Sequence, residues 1–136
     1  MKKFQTMMAV VLVALMAFAV QSCGSDDNDP EYKLAVTLDS TNQGPLTDAQ
    51  VALMKQDAAK GSTVAAHPTD ASAETATMRA AQLIAEALEL NKATYGSAEF
   101  MYTLVCTKVS GNKQIITYYV AYEAGDVEIY SNKNAK

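Results

Sequence analysis

Apolar and polar positions alternate just after the acidic stretch at residues 26–31. Between residues 32 and 39, the side chains at odd positions are mostly polar, and the even positions carry Leu34, Val36 and Leu38. Successive side chains of a strand point to opposite faces, so this period of two predicts a strand with one buried face. Turn-forming residues at 40–45 then end the alternation.

The next pattern is helical. Thr47 followed by Gln50 is typical of a capping box, and it predicts a helix over residues 48–59 with a stop at Gly61. Apolar side chains at helical spacing share one side of this segment, namely Val51, Met54 and Ala58. The first helix is therefore expected to pack by that side.

A longer helix is predicted after a loop at residues 61–70. Pro68 disfavours helical backbone at the residue before it, which keeps the loop irregular. From residue 71 to residue 92, apolar side chains form one helical stripe, with Ala80, Leu83, Ile84, Ala87 and Leu88. The many alanines indicate close packing on a sheet.

The C-terminal third is rich in strand-forming residues. Two such runs, 99–109 and 114–123, flank Gly111-Asn112, a strong hairpin signal. A last short strand is predicted at residues 127–130, and the tail from 131 onward is expected to fray. The predicted order is β-α-α-β-β-β.

This order predicts an α+β fold, a two-layer sandwich with a mostly antiparallel sheet and two helices on one face. The position of the first strand within the sheet stays open. The chain divides into a cleaved segment at 1–22, a flexible tether at 23–31 and one small domain at 32–136.

The hairpin turn also predicts which side chains share a face. With Gly111-Asn112 as a two-residue turn, Val105 pairs with Tyr118. The side expected to meet the helices then carries Met101, Val105, Val109, Ile116, Tyr118, Val120 and Tyr122. The other side carries a candidate binding face formed by Phe100, Tyr102 and Tyr119.

Two alternatives to that face stay open. Its aromatic side chains can instead be covered by loops, by the tail or by a second copy, or stabilise their cross-strand neighbours. A one-residue change in the turn would exchange the faces and move the same hypothesis to Tyr118 and Tyr122.

The N-terminus has the pattern of a secretory signal peptide. Lys2 and Lys3 precede an uncharged apolar run at residues 7–20. A membrane-spanning helix needs roughly 20 such residues, so the run is short for a permanent span. The segment is expected to be removed.

Val20-Gln21-Ser22-Cys23 resembles a bacterial lipobox, in which cleavage occurs before a lipidated cysteine. The resemblance implies a diacylglycerol thioether on Cys23 and an acyl chain such as palmitate on its new amino group. Several acyl chains give stable anchoring, whereas a single chain binds a membrane only marginally. The lipid of a membrane is therefore a predicted partner of Cys23.

The acidic stretch after Cys23 resembles the tether of Bacteroidetes-type surface lipoproteins. The resemblance implies an export signal formed by Ser25, Asp26, Asp27 and Asp29. It also implies a location on the outer membrane, facing the cell exterior, with the periplasmic face as the alternative. A calcium loop is disfavoured because the glycine and the distal glutamate of an EF-hand are missing.

Charge argues against a nucleic-acid partner. The chain has 11 basic and 15 acidic residues, which leaves 9 against 15 after residues 1–22 are removed, and 9 against 11 without the four acids of 26–31. A domain with a charge of −2 has no basic patch for a phosphate backbone.

No catalytic motif is present in the sequence. His67 is the only histidine, so no zinc signature exists, and Cys106 lies in a strand-like run where a buried structural thiol is expected. We therefore expect a protein that is not an enzyme and that has no catalytic residues, no metal and no cofactor.

Two classes of function fit these features. The first is a binding or accessory module for a glycan or for another surface lipoprotein. The alternative is a structural or inhibitory envelope protein that acts by protein–protein contact. A small exposed aromatic platform would favour sugars, and a broad apolar patch would favour protein.

Overall fold

The strands form one antiparallel sheet in the computed structural model, which describes residues 29–133. Along the chain, the elements are β1 (Glu31–Asn42), α1 (Asp48–Lys60), β2 (Thr63–Ala66), α2 (Asp70–Leu90), α3 (Lys92–Tyr95), β3 (Glu99–Lys108), β4 (Lys113–Glu123) and β5 (Asp126–Ser131). The predicted α+β class is confirmed.

The strand order in the sheet is β2-β1-β3-β4-β5. β1 therefore lies between β2 and β3 and is antiparallel to both. β3, β4 and β5 follow as a meander of antiparallel neighbours. The place of the first strand, which the sequence left open, is thus inside the sheet.

Both long helices begin with a side-chain cap. The Thr47 hydroxyl accepts a hydrogen bond from the Gln50 amide, and the Gln50 side chain accepts one from the Thr47 amide, so the predicted capping box is confirmed. α2 begins with the same exchange between Thr69 and Ser72. Such caps satisfy amide groups that have no partner inside a helix.

The helices pack on one face of the sheet. α1 contacts β1, and α2 contacts β3, β4 and β5. The predicted inner side of α1 is buried, and in the predicted stripe of α2 only Leu83 is half-buried while the others are buried. The second layer thus comes from the two segments whose apolar spacing predicted helices.

The loop predicted at residues 61–70 contains a strand, so this prediction is wrong in part. β2 pairs with the start of β1, and the His67 amide extends the pairing by donating to the Pro30 carbonyl at 3.0 Å. A run of four residues is too short to show a period of two, which is why the pattern did not reveal it.

The tail is more ordered than predicted up to residue 133. The Asn132 side chain accepts a hydrogen bond from the Thr117 amide at 3.1 Å, and Lys133 forms an ion pair with Glu74 at 2.8 Å. Ser131 is buried at 2 % exposure. These contacts fix the end of β5 against α2 and β4.

The pairing of β3 with β4 differs from the prediction by one residue. Leu104 pairs with Tyr118, whereas the predicted partner of Tyr118 was Val105. Near the turn, Lys108 pairs with Lys113 across a four-residue loop, and the register shifts between Cys106 and Thr107. A loop that is longer by two residues leaves each side chain on its predicted face of the sheet. A shift of one residue, in contrast, moves the side chains of one strand to the other face relative to those of its partner.

The shift places the even-numbered residues of both strands against the helices. The predicted inner set of β4 is correct, since Ile116, Val120 and Tyr122 are buried. The predicted inner set of β3 is wrong, because Met101 and Val105 lie on the opposite face and Val109 is exposed in the loop. Within residues 29–133, no helix is both long and apolar enough to cross a membrane.

Candidate functional site

The predicted binding face of Phe100, Tyr102 and Tyr119 does not exist as one surface. Phe100 is 4 % exposed and Tyr102 is fully buried, because the register shift turns both toward the helices. Tyr119 alone of the three lies on the side away from the helices, where it is half-buried. The prediction is therefore wrong for Phe100 and Tyr102.

Phe100 and Tyr102 belong instead to an aromatic core. The Phe100 ring stacks on Tyr122 with centroids 5.0 Å apart, and it meets Tyr95 and Tyr102 edge-on at 4.9 Å and 6.1 Å. Burial raises the pKa of Tyr95 and Tyr102 well above the ordinary tyrosine value. These rings pack together in the core rather than form an exposed aromatic platform.

The face of the sheet opposite to α1 and α2 is here named the open face. Its central positions hold short or β-branched side chains that are half-buried, among them Ala35, Thr103 and Val105. An antiparallel sheet can leave one face to solvent when the other is packed. The open face is therefore a regular surface that is available for binding.

Two tyrosines form an aromatic pair on the open face. Tyr119 and Tyr130 are direct cross-strand partners, and their rings stack with centroids 5.1 Å apart at 26°. The Tyr130 hydroxyl donates to the Met101 sulfur at 3.4 Å, so the ring reaches from β5 across β4 to β3. Tyr130 keeps 37 % exposure. One side of its ring is thus held on the sheet while part of the side chain stays in contact with water.

A shallow pocket lies beside the Tyr130 ring. It has a volume of about 300 Å³, and it is lined by Asp39, Thr41, Glu99, Phe100, Met101, Ala121, Glu123 and Tyr130. Met101, Ala121 and the ring supply apolar surface, and three carboxylates lie around it. This acidic pocket combines a flat ring with hydrogen-bond acceptors.

The sheet register places two of the pocket carboxylates, Glu99 and Glu123, in one row with Asp126. Glu99 is the cross-strand partner of Glu123, which in turn pairs with Asp126. Like charges directly opposite each other destabilise a sheet. None of the ion pairs found within the described residues involves these three acids. We therefore expect the row of three acids at this end of the open face to lower stability.

The acidic pocket favours particular ligands. Carboxylates repel anions, and they accept hydrogen bonds from hydroxyl, amide or ammonium groups. No group of three or more side chains suited to hold a metal ion occurs in residues 29–133. The arrangement therefore suits an uncharged or cationic organic ligand with an apolar side.

Tyr130 is the residue that the sequence interpretation missed. It was placed in the last short strand without a role. In the structure, Ala124 and Gly125 both have positive φ and connect Glu123 directly to Asp126. Such a two-residue turn fixes the register, and Tyr130 then falls opposite Tyr119.

The thiol of Cys106, a candidate nucleophile, is shielded from solvent. Cys106 is fully buried as a free thiol, and burial raises its pKa, with a hydrogen bond to Thr77 acting in the opposite direction. A thiol reacts as its thiolate, so a raised pKa disfavours nucleophilic chemistry. The prediction that Cys106 is buried is confirmed.

The lone histidine is also part of the interior. His67 is 1 % exposed, and the Tyr32 ring meets it edge-on at 5.7 Å. Burial lowers the His67 pKa, while the Asp29 carboxylate acts in the opposite direction. The Tyr32 hydroxyl donates to Asp70, which closes this end of the core.

The residues predicted to anchor and export the protein lie mostly outside the described part of the chain. Cys23, Ser25, Asp26 and Asp27 precede residue 29, and only Asp29 of this set is described. Comparison with protein-family models, with curated proteins and with solved structures gives no match. The geometry of the chain itself is thus the guide to its function.

Proposed function

We propose that this protein is a lipid-anchored binding module of the bacterial envelope whose open face binds glycans. The observation that carries the proposal is the Tyr130 ring, which lies across the sheet beside a pocket of about 300 Å³ lined by Asp39, Glu99 and Glu123. A flat apolar ring surrounded by hydrogen-bond acceptors is the chemistry that a sugar ring requires.

The two parts of the site would act on different parts of a sugar. The C–H groups on one side of a pyranose are apolar and can stack on the Tyr130 ring, whose position is set by Tyr119 and Met101. The hydroxyl groups at the edge of the sugar can donate to the carboxylates of Asp39 and Glu99. Hydrogen bonds to charged acceptors are stronger than those between neutral groups.

The charge of the site narrows the class of glycan. The lining of the acidic pocket contains three acids and no basic residue. Uronic acids, sialic acids and sulfated sugars would meet like charge, which costs binding energy. Neutral hexoses and sugars with a free amino group are therefore the favoured ligands.

The position of the pocket fits an anchored protein. The tether enters the fold at the start of β1, and the pocket lies where Asp39 and Thr41 end that strand. β1 has 12 residues, which span roughly 40 Å at about 3.3 Å per residue. β1 thus separates the pocket from the point where the predicted tether joins the fold.

Lipid anchoring is tested by mass spectrometry of the N-terminus of the mature protein. The apolar run and Val20-Gln21-Ser22-Cys23 lead us to expect a peptide that begins at a lipidated Cys23. An unmodified peptide that reads through residues 20–26 would contradict anchoring.

Surface display is tested by protease treatment of intact cells. Replacing Asp26, Asp27 and Asp29 by alanine is expected to leave the protein anchored but to reduce its cleavage from outside. Unchanged cleavage would remove the export role of these acids and leave lipidation as a separate result.

Glycan binding is tested by screening the full chain in detergent against immobilised neutral, amino and acidic glycans. We expect retention on neutral or amino glycans and none on acidic ones. Tyr130→Ala should lower the affinity by roughly two- to tenfold, because an aromatic stacking contact is worth about 0.5 to 1.5 kcal/mol. Tyr130→Phe keeps the ring and should retain most of the affinity.

Ile129→Ala is the matched control. Ile129 is the neighbour of Tyr130 in β5, has nearly the same exposure of 38 %, and points to the other side of the sheet. It should leave glycan affinity unchanged. Equal losses in Ile129→Ala and Tyr130→Ala, or binding of acidic glycans alone, would contradict the proposed site.

A further inference from the structure

The outer edge of β5 is open in the described part of the chain. β5 is the last strand of the sheet, and β4 lies on its other side. The turn at Ala124 and Gly125 makes Glu123 and Asp126 the pair nearest the turn, and antiparallel pairs alternate between bonded and non-bonded positions. The backbone groups of Val127 and Ile129 therefore point outward, away from β4.

A groove runs along this edge between β5 and α2. Its volume is about 570 Å³, and it is lined by Gln82, Ala85, Glu86, Glu89, Val127 and Ile129. Ala85, Val127 and Ile129 form an apolar floor that continues the packed face of the sheet. Ile129 is 38 % exposed, which is high for an apolar side chain on the packed side. Backbone hydrogen-bonding groups and an apolar groove thus lie side by side.

The charges around the groove are acidic. Glu86 and Glu89 line it from α2, and Asp126 and Glu128 lie on β5. Lys92 forms an ion pair with Glu89 at 2.6 Å and also interacts with Asp126, so these four acids and one lysine leave a net negative charge at this edge. Arg79 lies one helical turn before Gln82 and is not part of the lining. The edge therefore complements a cationic occupant.

A second copy of the chain is a poor match for this edge. Two β5 edges in contact would bring two sets of Glu86, Glu89, Asp126 and Glu128 into one interface. Charged residues on an edge strand are a common device against pairing between identical copies. The same charges attract a segment that carries lysine or arginine.

We propose that the β5 edge binds an extended segment of a partner protein, which adds to the sheet as a sixth strand. Its apolar side chains, at every second position, lie in the groove against Ala85, Val127 and Ile129. Its lysine or arginine side chains, at the positions between, lie on the open face near Asp126 and Glu128. Strand addition of this kind obtains affinity from backbone hydrogen bonds and specificity from alternate side chains.

The opposite edge of the sheet, formed by β2, offers less apolar surface to an added strand. β2 has only four residues, and its exposed apolar side chain, Val64, lies on the open face, away from the helices. A strand added there would bury little apolar surface. The two edges of one sheet thus give an internal comparison for the experiment.

The experiment measures fluorescence anisotropy of a labelled synthetic peptide in which valine and lysine alternate, added to the full chain in nonionic detergent. A matched peptide carries glutamate in place of lysine. We expect the lysine peptide to bind at least about tenfold more tightly, with an affinity that falls as salt is raised. Hydrogen exchange should slow in β5 and stay unchanged in β2.

Two double variants with the same change in charge locate the site. Asp126→Lys with Glu128→Lys should abolish binding of the lysine peptide. Asp39→Lys with Glu99→Lys alters acids on the same face but three and two strands away from β5, and it should leave most of the binding in place. Because both pairs are on the surface, folding is checked by circular dichroism before binding is compared.

Three results would overturn strand addition at β5: protection of β2 instead of β5, equal binding of the two peptides, or equal losses in the two double variants. A shift to dimers that depends on Ile129 would assign the edge to a second copy instead. Glycan binding depends on Tyr130 and not on Asp126 or Glu128, so the failure of one proposal leaves the other standing.

Discussion

The two faces of the β3–β4 hairpin come from the same strands and have different chemistry. The covered face holds Phe100, Tyr102, Leu104 and Cys106 from β3, all buried. The open face holds Met101, Thr103, Val105 and Thr107 from the same strand, all half-buried. One face therefore forms the core, and the other keeps contact with solvent.

Aromatic side chains show the difference most clearly. Tyr102 and Tyr122 lie on the covered face among other rings, whereas Tyr119 and Tyr130 lie on the open face and stack only on each other. The same residue type thus serves packing on one side and a candidate platform on the other. Measurements on matched pairs of residues test whether the two faces differ in this way.

The largest expected difference is between Tyr102 and Tyr119. Tyr102→Ala should destabilise the protein by about 3 to 5 kcal/mol, since it removes a fully buried ring from a packed core. Tyr119→Ala removes one partner of a surface pair and should cost only about 1 kcal/mol. Urea unfolding of both variants gives the two values. Similar losses would mean that the open face is also part of the core.

A second pair compares hydroxyl groups placed on the two faces. Cys106→Ser puts a hydroxyl of similar size in the core, and it should cost about 1 to 3 kcal/mol. Val105→Thr makes the corresponding change on the open face, where water can reach the hydroxyl, and should cost less. Denaturant midpoints and slopes of both variants are the measurement. A stable Cys106→Ser that lost binding would instead indicate a reactive thiol.

A third pair concerns two buried tyrosine hydroxyls. The Tyr122 hydroxyl donates to the Gly96 carbonyl at 2.7 Å, whereas the Tyr102 hydroxyl has no hydrogen-bond partner among the described residues. Tyr122→Phe should therefore destabilise the protein by about 1 kcal/mol. Tyr102→Phe should leave stability unchanged or raise it. The reverse order in thermal or chemical unfolding would show that Tyr102 is the better bonded of the two.

These comparisons also show why the sequence predicted some elements and missed others. The spacing of Leu34, Val36 and Leu38, and the pair Thr47 and Gln50, act within one element, so the pattern alone predicted β1 and the start of α1 correctly. β2 is too short to show a period, and it forms because the start of β1 offers an edge to pair with.

The prediction of the candidate site failed because of a single backbone irregularity. The register shift between Cys106 and Thr107 has no signature in residue types, yet it decides whether Tyr102 or Met101 reaches the helices. Faces of a hairpin are fixed by turn length and bulges together, and only the turn was visible in Gly111-Asn112. To predict that the Tyr130 ring is exposed beside Tyr119, one likewise needs the register of β5.

The burial of His67 predicts that the stability of the protein depends on pH. Burial lowers the pKa of His67 below its ordinary value of 6.5, so the unfolded chain binds a proton more readily than the folded chain. Stability should therefore fall as the pH drops through 6.5 toward the lowered pKa, and recover above it. Asp70 titrates below its ordinary 3.8 and does not contribute in that range.

The measurement is urea unfolding between about pH 5 and 8, the range in which an ordinary histidine titrates. His67→Gln should flatten the profile in this range. A profile with the same slope in the variant would assign the dependence to another group and would show that the interior beside Tyr32 admits the charged imidazole.

The smallest expected effect belongs to the acids of the open face, and it has the opposite sign. Glu123 lies between Glu99 and Asp126 in one row, so Glu123→Gln removes two unfavourable like-charge contacts. Stability should rise by a few tenths of a kcal/mol, within the range of cross-strand charge pairs. The gain should shrink in high salt, which screens exposed charges.

Gln114→Glu, which adds an acid to β4 near Lys113, is the contrasting variant and should not destabilise the protein. A rise in stability together with weaker glycan binding would show that the row is kept for its ligand, whereas a fall in stability would mean that these carboxylates support the sheet.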